Sequence, residues 1–204
     1  MIELLTKKTL KYLITKNAIN GNDDDSIAFY KYGIEITFSS VLNVFIILLI
    51  SLICNSILEG IVFLLVFIPT RKFTGGFHAD TYLKCNMTFG ASYFTILILS
   101  KLLMNNASVF YSIFILIIEI VFIAFFCPIK NSHKKINKKE TIIKYKIIAL
   151  VFFFTFGVTG LYLLSINCLL YGCEILITLD LITVLGIAGI IKERSKKKWK
   201  RTTK

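Results

Sequence analysis

Residues 107–128 read Ala107-Ser108-Val109-Phe110-Tyr111-Ser112-Ile113-Phe114-Ile115-Leu116-Ile117-Ile118-Glu119-Ile120-Val121-Phe122-Ile123-Ala124-Phe125-Phe126-Cys127-Pro128. A helix needs about 20 mainly apolar residues to cross the hydrocarbon of a bilayer. This stretch supplies them, and Glu119 is its one charged side chain. Comparable stretches lie on both sides, at 34–54, 56–69, 88–103, 145–166 and 174–191. Those at 34–54 and 145–166 are long enough to span. The stretch at 56–69 is short and ends at Pro69, 88–103 is short unless it borrows from Cys85–Thr88, and 174–191 is interrupted by Asp180. Six spans is the favoured count, with four spans and two partly embedded helices as the rival.

The whole chain fits this reading. Its 204 residues are 56% hydrophobic and 18% charged, with mean hydropathy +0.75. Soluble domains are nearer half apolar and a quarter charged. A chain of this size cannot hide so much Ile, Leu and Phe in a soluble core, and disorder requires low hydrophobicity. The expected fold is an all-α polytopic membrane protein, with one membrane domain covering 1–204.

The net charge of +12 is concentrated between the apolar stretches. Five Lys or Arg precede the first, three lie between Arg71 and Lys84, seven between Lys130 and Lys146, and eight from Lys192 to Lys204. Only Lys101 falls outside these regions, and the connections near Cys54–Asn55, Asn105–Asn106 and Asn167–Cys173 carry no Lys or Arg. The positive-inside rule puts the basic regions in the cytoplasm and the uncharged turns outside. Both termini then lie on the cytoplasmic face, as six spans require. Nucleic acid is not expected as a partner.

Within residues 1–30, Leu4, Leu5, Leu10, Leu13 and Ile14 alternate with Lys7, Lys8, Lys11 and Lys16. That pattern predicts an amphipathic interfacial helix on anionic lipid, ended by Asn20, Gly21, Asn22 and the Asp23–Asp25 run. The start does not read as a cleaved signal peptide. The five cysteines show no metal-ligand or disulfide pattern, and neither cofactor nor metal is expected. Gly157, Gly160, Gly186 and Gly189 permit close helix contact, within the chain or in a homodimer.

The polar island between the second and third stretches, residues 70–87, holds the chemistry: Arg71-Lys72-Phe73-Thr74-Gly75-Gly76-Phe77-His78-Ala79-Asp80-Thr81-Tyr82-Leu83-Lys84-Cys85. His78 can accept the thiol proton of Cys85, and the thiolate can attack a carbonyl. Seven residues of regular helix separate their Cα atoms by roughly 10.5 Å, so a working pair needs a break between them. Gly75 and Gly76 either offer N–H groups to an oxyanion or form a tight turn. Arg71, Lys72 and Lys84 either bind an acidic substrate or mark the inner face, and lysines 134, 135, 138 and 139 pose the same choice. From the residues alone, a Cys–His enzyme, a structural or lipid-facing loop and an ion site all stay open.

The run Arg71, Gly75-Gly76-Phe77-His78-Ala79 and Cys85 resembles the signature of the AgrB family, bacterial membrane cysteine endopeptidases of peptide quorum sensing. Chain length, amphipathic start, order of apolar stretches and basic C-terminal tail (192–204) are similar as well. The resemblance implies that His78 and Cys85 are the catalytic pair. It implies an AgrD-like precursor peptide as partner, cleaved before an acidic C-terminal segment and closed into a thiolactone or lactone ring. The rival function is a small multispan transporter or channel using Glu35, Glu59, Glu119 or Asp180.

Overall fold

The fold is that of a computed structural model, which describes residues 2–16, 24–76, 81–129 and 139–202. It is all-α: α1 (Ile2–Thr15), α2 (Asp24–Ile53), α3 (Ile57–Thr74), α4 (Tyr82–Leu103), α5 (Val109–Phe126), α6 (Lys139–Ser165) and α7 (Leu169–Thr202). A single 3-10 turn, Met104–Asn106, follows α4.

Among the described residues, five helices are long and apolar enough to cross a membrane: α2, α4, α5, α6 and α7. Their outward side chains are large and apolar, with Phe110 87% and Phe125 78% exposed, a surface suited to lipid rather than water. The sixth apolar stretch forms α3, whose 18 residues include Glu59, Arg71 and Lys72. At 1.5 Å per residue it is about 27 Å long. Three charged residues in so short a helix set it apart from the other five. Nor does it end at Pro69: the ring removes one backbone hydrogen bond, yet the helix runs on to Thr74. Packing holds that last turn, since Phe73 meets Tyr145 edge-on at 5.3 Å and stacks on Phe152 at 5.8 Å.

α2 and α4 run parallel. Residue 35 of α2 pairs with 82 of α4 and residue 39 with 86; further along, Ser51 meets Tyr93. α3 carries the chain back between them. The turns at the uncharged end share one chemistry. Asn55 and Asn167 take positive φ, 50° and 63°, a conformation that short amide side chains tolerate. Ser56 N–H then donates to Ser51 O at 2.8 Å and Cys168 N–H to Leu163 O at 2.9 Å, closing α2 and α6 with the six-to-one bond of a Schellman end.

The core is aromatic where α3 and α4 meet. Phe63 lies 5.1 Å from both Phe67 and Tyr93, and Phe67 lies 5.0 Å from Phe89. Such pairs contribute about 0.5–1.5 kcal/mol each beyond area burial. α7 packs against α3, α4, α5 and α6. Gly157 and Gly160 admit Leu116 of α5 and Leu176 of α7, and Gly186 admits Ile129, so these small residues serve close contacts inside the chain. Of the acids in apolar stretches, Glu59 and Glu119 are buried, and Glu119 of α5 lies in electrostatic range of Asp180 of α7. Glu174, which sequence reasoning passed over, is fully buried, with Glu59 and Lys101 in electrostatic range.

Candidate active site

The polar island is held at the basic end of the bundle, where α3 stops and α4 begins. α3 ends at Gly75 (φ 72°, ψ −153°), followed by Gly76 at φ 125°. The Gly75 conformation is essentially reserved for glycine, and both glycines also leave space for neighbours. A Cβ on Gly75 would come 2.6 Å from the Ile129 carbonyl oxygen, and one on Gly76 would collide with Nη1 of Arg71.

The turn is closed by local and distant partners. Gly75 N–H donates to Arg71 O at 3.2 Å, and Arg71 Nη1 donates to Gly75 O at 2.5 Å. The Thr74 carbonyl, one of the last in α3, accepts from Ile129 N–H at 2.9 Å and from the Cys127 thiol at 3.4 Å. The segment leaving α5 thus satisfies a helix-end carbonyl that would otherwise lack a partner. Gly75 and Ile129 form one isolated parallel bridge. The Gly75 N–H is engaged in this arrangement, and both glycines take positive φ where α3 ends.

Across the turn, Thr81 is extended and its hydroxyl accepts from Lys84 N–H at 3.3 Å, capping α4. Cys85 N–H then donates to Thr81 O at 3.0 Å. Cys85 therefore lies in the first turn of α4, half-buried. Gly75, Gly76 and Thr81 are all non-helical, and α4 begins only after Thr81. Residues 77–80, including His78 and Asp80, lie outside the described residues. So do lysines 134, 135 and 138, and His133.

Arg71 joins the two sides. Its guanidinium is in electrostatic range of the Cys85 and Cys127 sulfurs; burial pulls it down to about 10, and the two sulfurs oppose that shift. It stays a cation at neutral pH. Lys72 and Lys84 are exposed beside it, with Lys72 Nζ 5.7 Å from the Phe73 ring centre, and Lys139 is exposed at the start of α6. Among the described residues, no three His, Cys, Asp or Glu side chains gather as a metal site.

Two contributions escaped the sequence. Cys127, one of five cysteines without a metal-ligand or disulfide pattern, donates to Thr74 O beside Gly75; its one signal was a Cys-Pro pair at the end of an apolar run. Glu35 of α2 accepts from Tyr82 Oη at 2.9 Å, a contact between residues far apart in the chain that spacing does not reveal.

No solved structure matches the chain. An AgrB-like protein of Clostridium beijerinckii is 28% identical over 207 residues, covering 95% of this chain and 100% of the relative. The model of the family described as Accessory gene regulator B matches residues 6–191, from within α1 to the basic end of α7 and across the whole Gly-Gly turn. The chain belongs to the accessory gene regulator B (AgrB) family.

Proposed function

We propose that this protein is a membrane cysteine endopeptidase that removes the C-terminal segment of an AgrD-like precursor and promotes closure of the remaining peptide into a thiolactone or lactone. In this reading α3 is a sixth crossing, both termini and the Gly-Gly turn face the cytoplasm, and α1 lies on anionic lipid. The observation that carries it is the setting of Cys85, in the first turn of a helix with the Arg71 cation in electrostatic range.

His78 takes the Cys85 thiol proton, and the thiolate attacks the carbonyl at the junction before the acidic segment. The tetrahedral oxyanion collapses, the C–N bond breaks, and the imidazolium protonates the leaving amine. The acyl-enzyme is a thioester. The precursor's own thiol attacks its carbonyl, Cys85 leaves as thiolate and regains a proton, and a thiolactone is released. Thioester exchange is close to balanced in energy, whereas hydrolysis would be strongly downhill, so excluding water favours the ring. Binding both ends of the precursor raises the effective concentration of its thiol. Exposed Lys72 and Lys84 supply charge for the acidic segment.

The test is processing of the peptide encoded beside this gene, in membranes carrying the intact protein, Cys85→Ala or His78→Ala. Loss of cleavage in both variants, with the protein still present in the membrane, is the expected result. Cleavage by Cys85→Ala would refute the reading.

A further inference from the structure

The first turn of α4 has few contacts of its own. Leu83 is 70% exposed, Lys84 is exposed, and the Thr81 cap is long at 3.3 Å. Helix ends fray unless something ties them down. Here two hydrogen bonds from α2 do so, one helical turn apart. Tyr82 Oη donates to Glu35 Oε2 at 2.9 Å, and Ser39 Oγ donates to Asn86 Oδ1 at 2.8 Å. Residues four apart share a helical face, so the contacts form one ladder between the parallel helices. Its deeper rung is buried, with Ser39 7% and Asn86 3% exposed, and the Glu35–Tyr82 rung is partly buried. Cys85 falls between the rungs, three residues after Tyr82 and one before Asn86, and Tyr82 is in electrostatic range of it.

We propose that Glu35 is a positioning residue for Cys85. Its carboxyl touches neither the thiol nor, in this arrangement, a substrate. It holds the Tyr82 hydroxyl, fixes the outermost turn of α4, and so sets the direction from which the sulfur meets a carbonyl. A displacement near 1 Å is costly in such a reaction, and the deeper rung alone leaves the turn free to pivot about Asn86. The proposal rests on the endopeptidase reading for its consequence in catalysis, while the clamp can be measured without a precursor.

The experiment uses the full chain in lipid nanodiscs with Glu35→Ala, Glu35→Gln, Tyr82→Phe and the double variant Glu35→Ala/Tyr82→Phe. Hydrogen exchange over 82–86 and the pH profile of Cys85 alkylation by iodoacetamide read the clamp. Processing of the co-encoded peptide reads catalysis, and thermal unfolding checks the fold. Glu35→Ala and Tyr82→Phe are each expected to raise exchange in the first turn. Each should lower kcat about tenfold, the scale of one lost hydrogen bond, with KM little changed. The double variant should be no worse than the weaker single, and Glu35→Gln, whose amide oxygen still accepts from Tyr82, should recover most of the rate. Unchanged exchange in Glu35→Ala, or additive losses in the double variant, would overturn the clamp. Raised exchange with kcat intact would overturn its role in positioning. Cleavage by Cys85→Ala would instead remove the endopeptidase reading and leave the exchange and alkylation results to judge the clamp.

Discussion

The guanidinium of Arg71 fills the space that Gly76 leaves by having no side chain, and from there donates to the Gly75 carbonyl at 2.5 Å. Glycines and cation are therefore one unit: the glycines end α3, and their geometry holds the only arginine of α3 in electrostatic range of Cys85.

Gly76→Ala should break that unit. The substitution meets strain at φ 125°, worth about 1–3 kcal/mol for a non-glycine residue, and its methyl displaces Nη1 of Arg71. Precursor processing should fall by at least about tenfold, the rate equivalent of ~1.4 kcal/mol. The check is processing in membranes at matched protein levels.

Arg71→Gln removes the cation in electrostatic range of the Cys85 sulfur and should slow alkylation of Cys85 by iodoacetamide. The sign with pH follows from the guanidinium, which burial pulls down to about 10. The intact protein keeps its advantage over Arg71→Gln from neutral pH upward and loses it as pH passes about 10. Rates measured across that range test this.

The two thiols near Arg71 should differ in reactivity. Burial pushes the Cys127 thiol up to about 12, against the pull of Arg71, so at neutral pH it remains a thiol donating to Thr74 O. Mass spectrometry after brief iodoacetamide treatment should find the label on Cys85 and none on Cys127. Cys127→Ser keeps a donor for Thr74 and should process precursor at close to the normal rate.

The Glu119–Asp180 pair is expected to be structural. Glu119→Leu leaves the Asp180 carboxyl without its neighbour inside the bundle, and a buried polar group left without a partner costs about 1–3 kcal/mol. Adding Asp180→Leu should restore much of the loss, and neither variant should change kcat once folded. Thermal unfolding in detergent, with processing measured in parallel, checks both halves.

The membrane fold was legible because apolar runs and charge-free turns follow directly from the solvent. The run at 107–128 yields α5, and the uncharged Cys54–Asn55 and Asn167–Cys168 connections are tight helix ends. Hydropathy misjudged α3, since a window that stops at Pro69 cannot register Phe73 packing on Tyr145 and Phe152. In the site, the spacing of His78 and Cys85 demanded a break between them, and Thr81, which lies between the two in sequence, is extended where α4 begins. The neighbours of the site were not legible. Glu35 reaches it through the packing of α2 against α4, and Cys127 and Ile129 through the segment that leaves α5, none of which a local pattern encodes.

The most direct test of the account is a search for the acyl-enzyme itself. Protein incubated with a precursor whose own cysteine is replaced by alanine, quenched in acid and digested, should yield a Cys85 peptide heavier by the precursor's N-terminal part, joined by a bond that hydroxylamine cleaves. An adduct on Cys85 is the predicted result; processing of that precursor with the adduct on another residue, or with Cys85 never modified, would contradict it.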